Sequence, residues 1–355
     1  MHTLPDFPRF PLPIIQAPLA GGSSTPQLTA AVTRAGGFGF LAAGYKMPDA
    51  VRADIDQLRS LDVDSFGLNL FLTSTHGCDP AVLQRYIDSL RADAARYGVQ
   101  LGAAVHDDDA LEAKLELAID ARVPVLSFTF GCPSHALVER LHAHAIAVWV
   151  TVTDLEEVEQ AAEAGADALI LQGIEAGGHR GSFRDRDGEG ELGVLSLTRL
   201  AARACDLPLI AAGGLMDGAG IAAVLVAGAR AAQLGTAYLR CPEAGTSDAQ
   251  RALLADPTRH APTQLTRAFT GRRARGIVND FMRRHEPDAP SAYPELHHVT
   301  APLRAAARAA KQSDDINLWA GQAYALAQER PAFELTRALA EDARTALDQA
   351  RSALP

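Results

Sequence analysis

The chain contains the sequence Ala168-Leu169-Ile170-Leu171-Gln172-Gly173-Ile174-Glu175-Ala176-Gly177-Gly178-His179-Arg180-Gly181. An apolar run that ends in a polar residue and continues into glycines around one histidine is typical of a buried strand that opens into a site loop. The glycines Gly177, Gly178 and Gly181 allow the backbone to approach a ligand closely. His179 is the one side chain of this loop that exchanges a proton near neutral pH. The stretch therefore predicts a buried strand followed by a functional loop.

Seven further runs of the same kind alternate with helical stretches rich in Ala, Leu, Glu and Arg. The eight predicted strands are 14–17, 39–42, 66–70, 123–129, 147–152, 168–172, 209–212 and 231–234. Non-alternating apolar runs between helices are typical of a parallel sheet that is buried on both faces. Eight such units predict an α/β fold, the (β/α)8 TIM barrel. A ninth run, residues 100–105, is interpreted as part of an excursion between the third and fourth strands.

The helix signals support this order of elements and suggest how the chain divides. Helices are predicted at 25–35, 154–164, 218–227 and, in the C-terminal tail, 332–352. Residues 242–302 lack the strand–helix rhythm and are rich in Arg, His and Pro. We therefore expect a barrel core over residues 1–241 and a smaller, mostly helical lobe over the barrel mouth at 242–310. Residues 311–355 are expected to form helices that pack back on the barrel.

Composition excludes several classes of protein. The 355 residues are 48% hydrophobic, which suits one large α/β domain with an appendage, or two domains. The net charge of -10 argues against a nucleic-acid-binding protein and against an anionic-membrane surface. No apolar run approaches the roughly 20 residues of a membrane helix, and residues 1–6 lack the features of a signal peptide. The four widely spaced cysteines form no CxxC pair, so a reducing cytoplasm is the expected location.

The predicted strand ends carry mostly neutral hydrogen-bonding groups, and in such a barrel the chemistry lies at these ends. They are Gln16-Ala17-Pro18, Asn69, residues 127–131, Gln172 with the His179 loop, Ala212-Gly213-Gly214 and Gln233-Leu234-Gly235-Thr236. This set suits a planar, amide-rich ring system better than a metal. Asn69 and Gln172 can each donate and accept hydrogen bonds, as the polar edge of an isoalloxazine requires.

The last two strand ends predict a phosphate site. Glycine pairs or Gly-Thr after strands seven and eight are where many barrels hold a phosphate on backbone N–H groups and a short helix N-terminus. The chain has only three lysines, Lys46, Lys114 and Lys311, and none lies near either loop. The phosphate would therefore be held by amides, by the Thr236 hydroxyl and by the helix dipole. The alternative is that these glycines only turn tight corners.

Other polar groups are given structural interpretations. His142 and His144 could form a metal pair, but they precede a strand and no carboxylate partner is apparent, so no metal site is predicted. Cys132 is interpreted as a small wall residue because no dedicated base is in view. The remaining charged groups are interpreted as a solvated helix start or as solvated or interface charges, although the lobe could contribute one to the pocket: Asp107-Asp108-Asp109, Arg272-Arg273 and Arg283-Arg284.

The strand-end motifs, taken together, resemble those of the nitronate monooxygenase family, formerly called 2-nitropropane dioxygenase, in its class I branch. The matching motifs are Gln16-Ala17-Pro18-Leu19-Ala20-Gly21-Gly22, Gly67-Leu68-Asn69, Ser127-Phe128-Thr129-Phe130-Gly131, Gln172 with Glu175 to Gly181, Ala212-Gly213-Gly214 and Gln233-Leu234-Gly235-Thr236. Each motif is weak alone, but the joint pattern is specific and runs from about residue 13 to residue 321.

The resemblance implies a barrel that holds non-covalent FMN and oxidises alkyl nitronates, such as propionate 3-nitronate, with O2. The products would be a carbonyl compound and nitrite or nitrate, in the detoxification of nitro compounds. Residue by residue it implies FMN contacts at Asn69, Gln172, Gly177, Gly214, Gln233, Leu234, Gly235 and Thr236. His179 would be the catalytic residue that faces the substrate, either as an imidazolium that binds the nitro oxygens or as a neutral base for nitroalkanes.

Two departures concern the pocket. Leu19 stands where the family pattern leads us to expect Met, which is a volume-conserving change. Tyr293 matches a family tyrosine of the substrate pocket, but His297 stands four residues later, where another tyrosine can occur. These departures bear on the substrate side chain more than on the reaction.

Three other functions fit parts of the pattern. An FMN-dependent NAD(P)H:quinone or enoyl-thioester reductase shares the scaffold, but no separate dinucleotide fingerprint is visible. A non-catalytic flavin-binding or sensor protein is disfavoured by the position of His179. A Schiff-base aldolase is disfavoured because no lysine ends a predicted strand. The physiological nitronate, the acceptance of neutral nitroalkanes, reduction by NAD(P)H and a homodimer remain open.

Overall fold

The computed structural model describes residues 8, 10–73, 78–256 and 262–353. The expected absence of a signal peptide concerns residues 1–6, which lie outside this part. The strands are β1 (Ile14–Gln16), β2 (Phe40–Ala42), β3 (Gly67–Phe71), β4 (Val125–Thr129), β5 (Ala147–Val152), β6 (Ala168–Gln172), β7 (Gly178–His179), β8 (Leu209–Ala212), β9 (Ala231–Leu234), β10 (Thr263–Thr266) and β11 (Ala274–Ile277). The α-helices are α1 (Pro26–Arg34), α2 (Pro48–Ser60), α3 (Pro80–Ser89), α4 (Arg91–Arg96), α5 (Leu111–Asp120), α6 (His135–His142), α7 (Leu155–Glu163), α8 (Val194–Ala204), α9 (Gly218–Ala227), α10 (Asp248–Ala255), α11 (Asp280–His285), α12 (Glu295–Ala309) and α13 (Ala332–Ala353).

Eight parallel strands form a barrel. Their order is β1-β9-β8-β6-β5-β4-β3-β2, and a parallel bridge between Ile15 and Phe38 brings the start of β2 back to β1. The predicted (β/α)8 barrel is therefore confirmed, and each strand lies within two residues of its predicted bounds. Residues 100–105 form no strand and lie between α4 and α5, inside the excursion expected there.

The strands are apolar without alternation because both of their faces are covered. Every residue of β5 is buried, as a strand between barrel interior and outer helices requires. Inside the barrel, the rings of Phe38, Phe40 and Trp149 lie 5.5 to 5.6 Å apart, centroid to centroid. A filled interior leaves the ends of the strands as the place for a ligand.

Local capping sets the helices where the sequence predicts them. The Thr25 hydroxyl accepts a hydrogen bond from the Leu28 N–H at the start of α1, and the Asp154 carboxylate accepts one from the Glu157 N–H at the start of α7. Gly165 follows α7 with a φ of 91°, a left-handed conformation that suits glycine. The predicted C-terminal helix is α13, which packs against α9.

A second, smaller sheet joins the barrel to the later part of the chain. Its order is β10-β11-β7, so the loop that carries His179 pairs directly with β11. A separate apolar cluster unites α3 and the residue that follows it, Leu90, with α11 and α12 through Tyr86, Phe281 and Leu296. The proposed domain boundaries stay a prediction, and α3, which they assign to the barrel, shares this second core.

Within the described residues, no helix is both long enough and apolar enough to cross a membrane.

Candidate active site

A cavity of about 340 Å³ opens at the carboxyl ends of the barrel strands. Most residues that the sequence singled out for a site line it: Asn69, Gln172, Gly177, His179, Gly214, Gln233, Gly235, Thr236 and His297. Leu19, which replaces the expected methionine, also lines the cavity. The barrel therefore brings residues that are up to 228 positions apart, Asn69 and His297, to one cavity.

Leu234 and Tyr293 do not line the cavity. The Leu234 side chain is buried in the apolar layer between the strands and the helices, so only its main chain is available to a ligand. Tyr293 lies behind the cavity wall, where its hydroxyl donates to the Tyr45 hydroxyl at 3.1 Å. Its ring centroid is 5.8 Å from that of His179. Tyr293 therefore acts on the cavity through Tyr45 and His179.

Gln172, at the end of β6, holds the histidine loop. Its Nε2 donates to the His179 carbonyl at 3.0 Å, and its Oε1 accepts from the Gly181 N–H at 2.8 Å and from Arg180 Nη1 at 2.9 Å. Both lone pairs of Oε1 are used in this way. Of the two N–H groups on Nε2, one donates to His179 and the other is left for a ligand. The sequence suggested a ligand contact here, and the geometry shows a loop anchor as well.

Arg180 is the buried centre of that loop. Its Nη1 donates to the Gly173 carbonyl at 2.6 Å, and its Nη2 donates to the carbonyls of Gln172 at 3.0 Å and Gly190 at 2.5 Å. Burial, with Arg273 nearby, lowers the pKa of Arg180 to about 10, so the guanidinium stays charged at neutral pH. Sequence reasoning assigned no role to Arg180, although its place directly after His179 in a glycine-rich loop was the available signal.

The surroundings of His179 favour a neutral imidazole. The half-buried His179 lines the cavity, and its ring packs against Phe130, Tyr293 and Trp319. Burial, reinforced by the positive charges of Arg272 and Arg304, lowers its pKa to about 3. Of the two roles expected for this residue, the lowered pKa favours the neutral base over the imidazolium, because desolvation and two guanidinium groups disfavour a third positive charge.

Arg272 and Arg273 are buried, and their interpretation as solvated charges is wrong. They precede β11, whose pairing with β7 turns them toward the histidine loop. The Arg272 guanidinium lies 4.2 Å from the Phe130 ring centroid, and its Nε donates to the Arg180 carbonyl at 3.2 Å. Arg273 pairs with Asp185 at 3.0 Å. In contrast, Arg283 is exposed, as expected.

Arg304 contributes a charge to the cavity that the sequence did not reveal. It is buried on α12, where Nε donates to the Thr300 hydroxyl at 3.0 Å and Nη2 donates to the His297 carbonyl at 2.9 Å. No described carboxylate lies within the 4.0 Å of an ion pair with its guanidinium. The signal was the spacing of residues 297, 300 and 304, which places them on one helix face.

The charge of the cavity is positive. Among the described residues that line it, the ionised side chains are Arg304 and Arg308, and no Asp or Glu is present. This holds in a chain with a net charge of -10. An unpaired buried guanidinium is costly, so the cavity favours an anionic ligand.

His297 and Tyr45 form the wall next to Arg304. Their rings stack at 4.0 Å between centroids with an interplanar angle of 8°. Burial and the neighbouring Arg304 lower the pKa of His297 to about 2, so it is neutral. The Tyr45 N–H donates to Asp109 Oδ1 at 3.0 Å, and Asp109 pairs with the buried Lys114 at 2.7 Å. The interpretation of Asp109 as part of a solvated helix start is therefore wrong, because it anchors this wall.

The glycine-lined end contains the predicted phosphate loops. Gly213 and Gly214 have φ values of 113° and 70°, and a Cβ at Gly214 would lie 2.9 Å from the Glu175 Cβ. Gly214 is therefore required by the chain itself, whether or not a phosphate approaches it. The Thr236 hydroxyl accepts from the Gly321 N–H at 3.0 Å.

Two buried polar atoms on the cavity wall lack partners among the described residues. They are Nε2 of Gln233 and Oδ1 of Asn317. A buried polar group without a partner costs free energy unless a ligand or water satisfies it. The Asn69 amide, in contrast, donates to the hydroxyls of Ser127 and Thr129, both at 2.9 Å. A donor and an acceptor are thus available to a polar planar ligand.

The remaining candidates lie outside the cavity. Burial raises the pKa of the Cys132 thiol to about 11, and this residue does not line the cavity, so neither a nucleophile nor a cavity wall is found there. His142 has the carboxylate partner that the sequence did not show, because its Nε2 lies 2.9 Å from Asp167 Oδ2. In the described part of the chain, no group of three or more His, Cys, Asp or Glu residues could hold a metal ion.

Comparison with known proteins gives consistent matches. Residues 10–342 match the family described as nitronate monooxygenase. A relative named nitronate monooxygenase from Pseudomonas aeruginosa is 41% identical over 342 residues, which are 94% of this chain and 96% of that protein.

Solved structures agree. One described as nitroalkane oxidase from Streptomyces ansochromogenes has a TM-score of 0.92 and 46% identity, with 98% of both chains covered. FabK from Thermotoga maritima, at 24% identity with a TM-score of 0.75, covers 97% of this chain and 96% of that one. At that identity the likeness to FabK extends to the fold alone.

Proposed function

We propose that this chain, which belongs to the nitronate monooxygenase family, uses FMN and O2 to oxidise alkyl nitronates. The observation that carries the proposal is a cavity at the barrel mouth whose described lining includes two arginines, a histidine of lowered pKa and no carboxylate. A nitronate is an anion, so this lining matches the charge of the substrate. With one O2, two nitronates give two carbonyl compounds and two nitrite ions, whereas one nitronate gives one carbonyl compound and one nitrate ion.

The residues present fit a flavin mononucleotide. The unpartnered Gln233 Nε2 and Asn317 Oδ1 offer a donor and an acceptor to the polar edge of a flavin ring. Gly21 also lines the cavity, and a Cβ built on it would meet no atom within 4 Å, so a ligand can approach its backbone. The main chain around Gly235, which carries no side chain to block it, would receive the phosphate. When bound, FMN supplies the electron-accepting ring for the reaction.

The protein's own residues divide the work. Arg304 attracts and orients the anion, because its charge has no carboxylate partner in the described part of the chain. Gln172 and Arg180 fix the loop that presents His179. His179, being neutral, can accept the proton from the carbon of a nitroalkane and so make the nitronate inside the cavity. A pre-formed nitronate needs no such step.

The anaerobic reduction of the flavin tests this function against the reductase alternative. Purified protein reconstituted with FMN is mixed with propionate 3-nitronate and, separately, with NADH or NADPH, and the flavin absorbance is followed. Loss of absorbance with the nitronate and none with the nicotinamides supports the proposal. Rapid bleaching by NADH with no response to the nitronate would instead identify a reductase. Homodimer formation stays a prediction.

A further inference from the structure

Thr270 makes the one hydrogen bond of the His179 ring within the described part of the chain. His179 Nε2 lies 2.9 Å from Thr270 Oγ1, and that hydroxyl lies 3.3 Å from the Arg272 carbonyl oxygen. Thr270 is 1% exposed and lines the cavity. The other ring nitrogen of His179, Nδ1, has no protein partner in this part. The three groups therefore form a short chain that ends at the cavity.

Hydrogen-bond accounting fixes the direction of this chain. A threonine hydroxyl has one proton to donate and can also accept. The Arg272 carbonyl belongs to a buried residue, and within the described residues Thr270 supplies its hydrogen bond. If the hydroxyl proton went to His179 instead, that buried carbonyl would be left unsatisfied, which costs free energy. The hydroxyl therefore donates to Arg272 and accepts from the Nε2–H of His179.

This direction selects one form of the ring. A neutral imidazole carries its proton on one nitrogen and a lone pair on the other, and a hydrogen bond at one nitrogen decides which. With the proton on Nε2, the lone pair is on Nδ1. A buried acceptor that orients a catalytic histidine is the general logic of a nucleophile–base–orienter set.

We propose that Thr270 is a positioning residue that holds His179 in the tautomer with a basic Nδ1, and that Nδ1 takes the proton when a neutral nitroalkane is the substrate. In this step the C–H bond of the carbon next to the nitro group breaks and an N–H bond forms at Nδ1. The electron pair of the C–H bond remains with the substrate and becomes the carbon–nitrogen double bond of the nitronate. The inference rests on the proposed function for its chemistry, but the tautomer itself does not.

The first test measures the tautomer directly. Holoprotein with ¹⁵N-labelled histidine is studied by NMR, and the His179 signals are assigned by their loss in His179→Asn. The expected wild-type pattern is a protonated Nε2 and an unprotonated Nδ1. Thr270→Val, which removes the hydroxyl but keeps the shape, should give a mixture of tautomers, and Thr270→Ser should restore the wild-type pattern. A wild-type ring protonated at Nδ1 would overturn the proposal, and so would a Thr270→Val spectrum that matches the wild type.

The second test separates positioning from folding. On a neutral nitroalkane, kcat of Thr270→Val should fall about 10- to 100-fold, part of the roughly 10²–10⁴-fold that general-base catalysis provides, whereas kcat on the pre-formed nitronate should change little. Thr270→Ser should recover most of the loss, and the exposed Thr345→Val serves as the matched control. Equal losses on both substrates would mark Thr270 as merely structural. An enzyme inactive on both substrates would refute the proposed function, while the NMR pattern would still decide the tautomer.

Discussion

Lowering the pH should destabilise this fold through His179 and His297, two half-buried histidines of the cavity. Burial, with Arg304 beside it, lowers the pKa of His297 to about 2, and burial with Arg272 and Arg304 lowers that of His179 to about 3, from a usual value of 6.5. Each histidine is therefore neutral when folded and takes up a proton on unfolding below pH 6.5. Because the unfolded chain then binds more protons than the folded chain, the free energy of unfolding decreases as the pH falls from 6.5 toward the pKa values of the folded state.

The size of the effect follows from the two pKa values. At pH 5 the protonated form of a histidine with the usual pKa exceeds the neutral form about thirty-fold. This protonation stabilises the unfolded state by about 2 kcal/mol at pH 5, against about 0.2 kcal/mol at pH 7. Moving from pH 7 to pH 5 should therefore cost about 2 kcal/mol for each residue, or about 4 kcal/mol for both. That is a large share of the stability of an ordinary domain.

Urea unfolding at pH 7, 6 and 5 checks this with a single substitution. His297→Gln removes the titrating ring, so the free energy of unfolding of the variant should gain about 2 kcal/mol relative to wild type as the pH falls from 7 to 5. Any constant loss from the broken stack on Tyr45 cancels in that comparison. His144→Gln, at an exposed histidine outside the cavity, is the matched control for the substitution itself. If His297→Gln also runs parallel to the wild type, His297 is not held neutral and the reasoning fails.

Three further variants test the site. In Gly235→Ala the new Cβ would lie 3.1 Å from Leu19 Cδ2, the end of a flexible side chain, so the protein should fold but bind FMN weakly. Equilibrium dialysis measures the FMN affinity, and an unchanged affinity would show that the phosphate does not bind at this loop. Arg304→Gln should raise KM for anionic nitronates about 10- to 100-fold, since a hydrogen bond to a charged group contributes about 1.5–3 kcal/mol. Arg304→Lys, which keeps the charge, should raise KM less. O2 consumption measures both KM values, and an unaltered KM in Arg304→Gln would contradict the anion-binding role of Arg304. His179→Asn should lower the rate on a neutral nitroalkane about 10²–10⁴-fold and the rate on a nitronate far less, because the nitronate has already lost its proton. Stopped-flow flavin reduction measures both rates. Equal losses on the two substrates would mean that His179 positions the substrate and does not act as the base.

The barrel could be predicted because its physical requirement is local. A strand covered on both faces must be apolar throughout, so runs such as residues 147–152 and 209–212 can be recognised as buried strands from the sequence. In the structure these two strands have the predicted bounds. Thr25 and Asp154 mark helix starts by chemistry that acts over three residues. The glycine loops after β6, β8 and β9 then follow from the fold, since every parallel strand ends at the same face.

The charges of the site could not be predicted because they depend on long-range pairing. Arg272 is buried only because the strand after it pairs with the histidine loop, 95 residues away at Ala274 and His179. Arg304 lies at the cavity because α12 shares an apolar cluster with α3, which is about 210 residues earlier in the chain. The state of His179 depends on both arginines, so the choice between imidazolium and neutral base was open until their positions were known.

The placement of the two tryptophans makes the cavity visible to light. Trp149 lies in the filled interior of the barrel, whereas Trp319 lines the cavity with its ring 5.5 Å from that of His179. The chain has no other indole. A molecule that enters the cavity therefore changes the surroundings of one fluorophore and leaves those of the other nearly constant. The tryptophan emission can therefore report occupancy of the cavity without a dye or a label.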